Sequence, residues 1–194
     1  MTGLRLIVIA IVVAALAAFV MVAPVGIGPA ETTYFGLPFP EKIAGATRAP
    51  GVTDFDAALP GGGYGAVYRH PELDIDIHIT NDGESSTPDD FESAVLKKHL
   101  EEIKTMAFKK QGHAATSKVE FVRDFVIADQ AGRTRLLCSQ FLYSYDVGSK
   151  HDNFECFAGW HNKLVEFTLY HRHGPGSEAA ARRFVEAWFP ILWP

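Results

Sequence analysis

Between residues 64 and 80, hydrophobic and polar side chains alternate in two runs separated by Pro71-Glu72. In the second run, Leu73, Ile75, Ile77 and Ile79 share one face, and Asp74, Asp76, His78 and Thr80 share the other. The two runs predict a hairpin. A shorter run at 41–48, before Pro50-Gly51, predicts one short strand. Beyond the polar loop 81–86 the period lengthens. Phe91, Val95, Leu96, Leu100, Ile103, Met106 and Ala107 recur at helical spacing and form one apolar side. Thr87 as cap, Pro88 in the first turn, Asp89 and Asp90 at the positive end of the dipole and Gly112 as stop predict a helix to about Gln111.

Four strand signals then follow at 119–128, 134–145, 153–160 and 163–173. Their connections, 129–132, 146–150 and His161-Asn162, are of hairpin length, so consecutive strands are antiparallel neighbours in a meander. The chain turns at Gly174-Pro175-Gly176. Ser177 is expected to cap a closing helix from Glu178 to about Phe189, which Pro190 ends. Residues 41–194 thus read as one α+β domain, an antiparallel sheet of about six to seven strands with helices packed on it.

The first thirty residues are of another kind. From Leu6 to Ala30 no charged residue occurs, and the 18 residues 6–23 are all apolar. A helix of that length spans about 27 Å, close to the hydrocarbon thickness of a bilayer. Arg5 before the run and acidic residues after it place the body outside the cytoplasm. An uncleaved signal-anchor is the first reading. A cleaved signal peptide is the second, with small residues at Gly28 and Ala30 where a signal peptidase reads. Residues 31–40, rich in Pro, Gly and Thr, read as a juxtamembrane linker.

Composition narrows the class. Across 194 residues, 47% are hydrophobic and 21% charged, which excludes a disordered chain. The net charge is −5, and all 23 carboxylates lie after residue 30 with no Lys/Arg cluster among them, which excludes nucleic acid as partner.

The element order of strand, hairpin, helix, four-stranded meander and helix resembles the Mog1/PsbP-like fold. Phe39-Pro-Glu-Lys-Ile-Ala-Gly45, Gly65-Ala-Val-Tyr68 and the alternating run from Leu73 to Ile79 are also similar to a group of small exported bacterial proteins of undefined function. The resemblance covers residues 39–194. It implies a sheet of about seven strands between helices, a binding or assembly role rather than catalysis, and an edge position for the strand at 73–80.

Candidate chemistry is scattered. Asp74, Asp76 and His78 read first as a solvent-facing strand whose charges discourage edge pairing, and otherwise offer metal-ligating atoms about 7 Å apart along one strand face. With His161-Asn162 as a two-residue turn, Asp152 falls opposite His171 and Lys150 opposite His173, so His171, His173 and Asp152 form a candidate Zn or Cu site. His99 lies within the apolar side of the long helix, as a core residue or a pH-sensitive one. Gly61-Gly-Gly-Tyr-Gly65 precedes a strand instead of a helix and reads as a flexible entry to the hairpin. Tyr64, Tyr68, Phe141, Tyr143, Tyr145, Phe154, Trp160 and the apolar stretch 188–193 serve the core or an exposed recognition patch. No nucleophile elbow, zinc-protease or Cys-x-x-Cys motif is present, and no cofactor is implied.

Cys138 and Cys156 flank the turn at 146–150 almost symmetrically. If facing residue numbers sum to 294 the cysteines oppose one another within disulfide range; a shift of one residue puts them on opposite faces and pairs Phe141 with Phe154. An exported domain permits the disulfide, and a pair of small buried thiols is the alternative. The expectation is therefore a membrane-anchored extracytoplasmic, non-catalytic binding or assembly domain of the bacterial cell envelope, periplasmic if the signal is cleaved. It would engage an envelope protein or small ligand and meet the membrane through residues 6–23. The alternative is a metal-binding protein or hydrolase using the late histidines.

Overall fold

The structure is a computed structural model that describes residues 33–57, 61–81, 93–113 and 115–194. The segment 1–30, on which the anchor and signal readings fall, lies outside the described residues, as does the expected helix start at Thr87-Pro88. Among the described residues, no helix is long and apolar enough to cross a membrane.

Strands β1 (Thr33–Tyr34) and β2 (Leu37–Pro38) form a small hairpin. Then come β3 (Lys42–Ile43), β4 (Ala46–Arg48), β5 (Thr53–Asp54), β6 (Tyr64–Arg69) and β7 (Leu73–Thr80). Helix α1 (Ala94–Lys109) is followed by β8 (Thr116–Ala128), β9 (Thr134–Tyr145), β10 (Lys150–Trp160) and β11 (Lys163–Arg172). The chain closes with α2 (Ser177–Glu186) and the short α3 (Phe189–Leu192). The main sheet has nine strands in the order β3-β4-β6-β7-β11-β10-β9-β8, with β5 also paired to β6, and every pairing is antiparallel. After β7 the chain crosses the sheet through α1 to the far edge at β8. The meander then returns strand by strand until β11 pairs with β7.

The sheet separates two cores. On one face, Leu73, Ile75, Ile77 and Ile79 join Phe154, Phe167 and Trp188 beneath α2 and α3. Trp188 is fully buried, its ring 6.2, 5.9 and 5.8 Å from those of Phe39, Tyr68 and Phe167. On the other face, Leu96, Leu100, Ile103 and Ala107 of α1 pack on Val119, Phe141, Tyr143, Phe157 and Leu164. Most of the aromatic residues therefore serve these cores. One glycine is fixed by contact: a Cβ on Gly63, at φ +77°, would lie 1.9 Å from the Ile79 carbonyl oxygen.

Several expectations are corrected. The sheet has nine strands rather than six or seven, because β3, β4 and β5 are pieces of two or three residues, too short to carry a periodic signal. The 41–48 run is a hairpin turned at Ala44 and Gly45, both at positive φ. From Thr33 on, the segment read as a linker belongs to the fold, with Leu37 and Phe39 fully buried and Pro40 accepting a 2.8 Å hydrogen bond from the Tyr68 hydroxyl. The described part of α1 begins after Ser93, whose hydroxyl accepts from the Leu96 amide at 3.2 Å. Ser177 is the first residue of α2, not its cap; Gly176, at φ 100°, holds the cap position. Pro190 sits in the first turn of α3, where a missing N–H costs no helical bond, so it helps to start a helix and does not end one. Above all, β7 is interior, bonded to β6 on one side and β11 on the other.

Leu100, on the sheet-facing side of α1, is 4% exposed. Leu100→Asp would bury a carboxylate among apolar neighbours, at a cost of several kcal/mol. Thermal unfolding should show a melting point lowered by at least ten degrees or no cooperative transition; a near-native melting point would show that α1 does not cover this face.

Candidate functional site

The face of the sheet beneath α1 is not wholly apolar. α1 packs over β8, β9 and β10, and beyond it the same face carries polar side chains on β11 and β7. Register places Asp76 of β7 beside Thr168 of β11, Thr168 beside Glu155 of β10, Glu155 beside Ser139 of β9, and Ser139 beside Asp124 of β8. A polar row thus runs across five strands. Its parts are bonded: the Thr168 hydroxyl donates to Glu155 Oε2 at 2.6 Å, and Lys104 of α1 donates to Asp124 Oδ2 at 2.6 Å. One row along, His78 faces Glu166, and His99 of α1 places Nε2 4.0 Å from Glu166 Oε2 while its ring meets Phe157 edge-on at 4.9 Å. The lone helical histidine is therefore buried beside a carboxylate.

Lys110, just past α1, reaches the same region. Its Nζ lies 3.5 Å from the Tyr170 hydroxyl and 5.9 Å from the centre of the Tyr143 ring. A cavity of about 30 Å³, room for about one water, opens among Phe55, Gly65, Asp76, His78, Glu166 and Thr168.

The electrostatics follow from this burial. Loss of solvation pushes the Asp76 carboxyl up to about 6, with Arg69 and Lys110 opposing the rise and Asp74 adding to it. Glu155, 5% exposed, is also raised, first by burial and then by the charge of Glu166, against Lys110 and the bonds from Thr168 and Asn153. The Tyr170 hydroxyl is held well above its ordinary range by burial and by the charge of Glu155. Burial thus disfavours the charged forms of Asp76 and Glu155, while the third carboxyl, Glu166, has His78 opposite it and His99 beside it.

The sequence candidates divide. Asp76 and His78 line this cavity, whereas Asp74 turns outward at the strand's start and pairs with Arg69 at 2.9 Å. Glu155, Glu166, Thr168 and Lys110 were missed. A signal was present: Glu155 and Glu166 interrupt strands whose neighbours on both faces are buried. At the other end of the meander the register is the one inferred from the His161-Asn162 turn, with Asp152 opposite His171. Asp152 is 1% exposed and is held by His173 Nδ1 at 3.0 Å and Gln140 Nε2 at 3.1 Å. The His171 ring instead turns Nδ1 to the Arg172 carbonyl. The structure thus brings Asp152 and His173 together and leaves His171 apart. Among the described residues no three His, Cys, Asp or Glu side chains are grouped to hold a metal ion. Cys138 and Cys156 face each other directly, in the 294 register, with Cα atoms 4.1 Å apart and their sulfurs joined as a disulfide.

No family model matches the chain, and no curated protein matches it in sequence. Its fold is similar to that of cyanobacterial PsbP (CyanoP) from Synechocystis sp. PCC 6803, at 14% identity, TM-score 0.48 and coverage of 86% of this chain and 96% of that one. It is also similar to the Ran-binding protein Mog1p of Saccharomyces cerevisiae, at 11% identity, TM-score 0.34 and coverage of 76% and 87%. A protein of unknown function from Pseudomonas aeruginosa matches at 10% identity, TM-score 0.35 and coverage of 77% and 87%. The likeness concerns the fold alone.

A carboxyl raised in the folded state makes the fold most stable when protonated. The Asp76 contribution is therefore fully present below pH ~4 and lost as pH rises through about 6, on the order of 2–3 kcal/mol. Asp76→Asn should match the parent at pH 4 and exceed it in denaturant stability at pH 7.5; equal stability at both pH values would place Asp76 in water.

Asp152 already has a partner on each oxygen, so Zn²⁺ should bind the late histidines more weakly than micromolar. Stoichiometric, tighter binding lost on His173→Ala, measured by calorimetry, would establish a metal site there.

Proposed function

We propose that this chain is a membrane-anchored, extracytoplasmic, non-catalytic binding domain of the bacterial cell envelope, with its ligand received at the cavity beside Asp76. The observation that carries the binding role is the pair of carboxyls, Asp76 and Glu166, that line that cavity, with Glu155 one strand further on beside Thr168. Burying carboxyls destabilises a fold unless something matches their charge, and apolar residues would pack the same face at less cost. Their presence is explained by a partner that brings positive charge.

Two features support the location. Residues 6–23 form an apolar run of membrane-spanning length preceded by Arg5. The joined pair Cys138–Cys156 is a bond of the kind that persists in an oxidising compartment, which supports export.

Photocrosslinkers placed in intact cells at position 55, on the cavity rim, and at position 147, an exposed turn, test the binding role. A discrete adduct is expected from 55 alone and should be lost with Asp76→Asn; an adduct indifferent to that change would refute the cavity as the site. For the location, thiol titration of the unfolded, unreduced protein should find no free thiol, and alkaline carbonate should leave the full chain in the membrane pellet. Two titrating thiols in protein taken from cells would count against export.

A further inference from the structure

We infer that two copies of this chain join antiparallel along β8, continuing the sheet of one copy into the other. The inference stands apart from the cavity beside Asp76 and uses none of its residues. The two edges of the sheet differ. One ends in β3, two residues long and too short to template a further strand. The other ends in β8, thirteen residues long, with no strand beyond it among the described residues. Apolar exposure concentrates on that long edge. Of the large hydrophobic side chains exposed among the described residues, Phe121, Val122 and Val126 lie on β8. Phe108 of α1 lies close by: its ring and that of Phe121 flank Phe141, at 6.4 and 5.9 Å. Only Val147, on the turn between β9 and β10, is elsewhere. An open edge that is also apolar is a site of association.

A bulge in β8 restricts how it can pair with itself. Phe121 stands opposite Phe141 and Arg123 opposite Gln140, so Val122 is an extra residue. Before it, Val119 and Phe121 face the α1 side, where Val119 joins the core and Phe121 meets Phe141. After it, the numbering of the faces flips. Asp124 is on the α1 side, bonded to Lys104, while Arg123 meets Glu178 of α2 and Ile127 joins the core beneath α2. A twofold axis normal to the sheet keeps each face on its own side, so both copies of α1 lie together. Side chains that oppose one another must then share a face, and across this bulge that requires facing residue numbers with an odd sum.

Charge then selects one register. A sum of 241 sets Lys118 opposite Arg123, and a sum of 245 sets Glu120 opposite Phe125 and Asp124 opposite Phe121. A sum of 243 sets Glu120 of each copy opposite Arg123 of the other, twice in the dimer, and pairs no like charges. The same register puts Phe121 opposite Val122 at the twofold axis, Val119 opposite Asp124, and Lys118 opposite Phe125. The exposed apolar pair thus sits at the centre with the ion pairs on either side. Arg123 is free to take part. It is bonded to Glu178 of its own copy, yet its side chain is 49% exposed and a guanidinium has five N–H donors. Glu120, 41% exposed, is held only by Lys118 of the same strand among the described residues. The strand is therefore self-complementary in both shape and charge, and the occupant of its edge is a second copy.

The test is sedimentation of the full chain in density-matched detergent micelles, over a range of protein concentrations. A monomer–dimer equilibrium is expected, at least tenfold weaker in Val122→Lys, which should keep its melting point because Val122 is already exposed. Glu120→Arg and Arg123→Glu should each weaken it to a similar degree. An equal mixture of those two variants should restore the dimer, because every arginine then faces a glutamate across the axis. Arg123→Glu also meets Glu178 within its own copy, and recovery on mixing separates the pairing from that local effect. Register is read by mild oxidation of differently tagged copies. Glu120→Cys in one and Arg123→Cys in the other should join, since directly opposed Cα atoms lie about 4.5–5.5 Å apart. A monomer at every concentration, a dimer indifferent to Val122→Lys or Glu120→Arg, or no recovery on mixing overturns the inference. Joining of Lys118→Cys to Arg123→Cys in place of the expected pair overturns it as well. A monomer that yields an adduct with another protein from a photocrosslinker at position 122 in cells would assign the edge to a foreign strand, and the self-pairing would fall.

Discussion

The pairing of β7 with β11 is the interaction on which the rest of the structure depends. These strands are far apart in sequence, and their ladder from Leu73 opposite His171 to Thr80 opposite Leu164 joins the N-terminal hairpin to the C-terminal meander. Without it there are two smaller sheets, each with an open apolar face. With it, Ile75 and Ile77 meet Leu169 and Phe167, giving α2 and Trp188 a continuous floor. The same ladder determines the other face, because a strand with one set of side chains in a core must present the alternate set opposite. Thr168 then necessarily lies between Asp76 and Glu155, and Glu166 beside His78.

That geometric necessity ties the apolar core to the polar site. A one-residue slip at β7–β11 would exchange the isoleucines with Asp74, Asp76 and His78 and bury charge under Trp188, so the core fixes the register and the register assembles the carboxyls. Their environment then follows from what covers them. Among the described residues α1 packs on β8, β9 and β10 and reaches Glu166 of β11 through His99, and Lys104 and Lys110 on that side answer Asp124 and Tyr170. Burial raises Asp76 and Glu155 because neither acquires an ion pair to replace its lost hydration.

Much of this architecture was legible in the sequence. The alternation at 73–80, the apolar spacing of Leu96, Leu100, Ile103 and Ala107, and the hairpin-length connections specify strand, helix and meander, because each is a local pattern repeated over many residues. What could not be read depends on distance in space. β3, β4 and β5 are too short for a period to show. The place of β7 in the sheet is set by its pairing with β11, which no local signal announces, so Asp76 and His78 read as an edge strand in water when they are interior. Glu155 and Glu166 are ordinary strand carboxyls until the register sets Thr168 between Asp76 and Glu155. The facing of Cys138 and Cys156 turned on one residue of register, which turn length alone left open.

The central claim is that Asp76 is a desolvated carboxyl of the sheet interior, not an exposed strand residue. It is most directly tested by ¹³C NMR titration of its side-chain carboxyl carbon, assigned with Asp76→Asn. The account predicts a midpoint near 6, well above the ordinary aspartate range. A midpoint at about 4, the value of an aspartate in water, would contradict it.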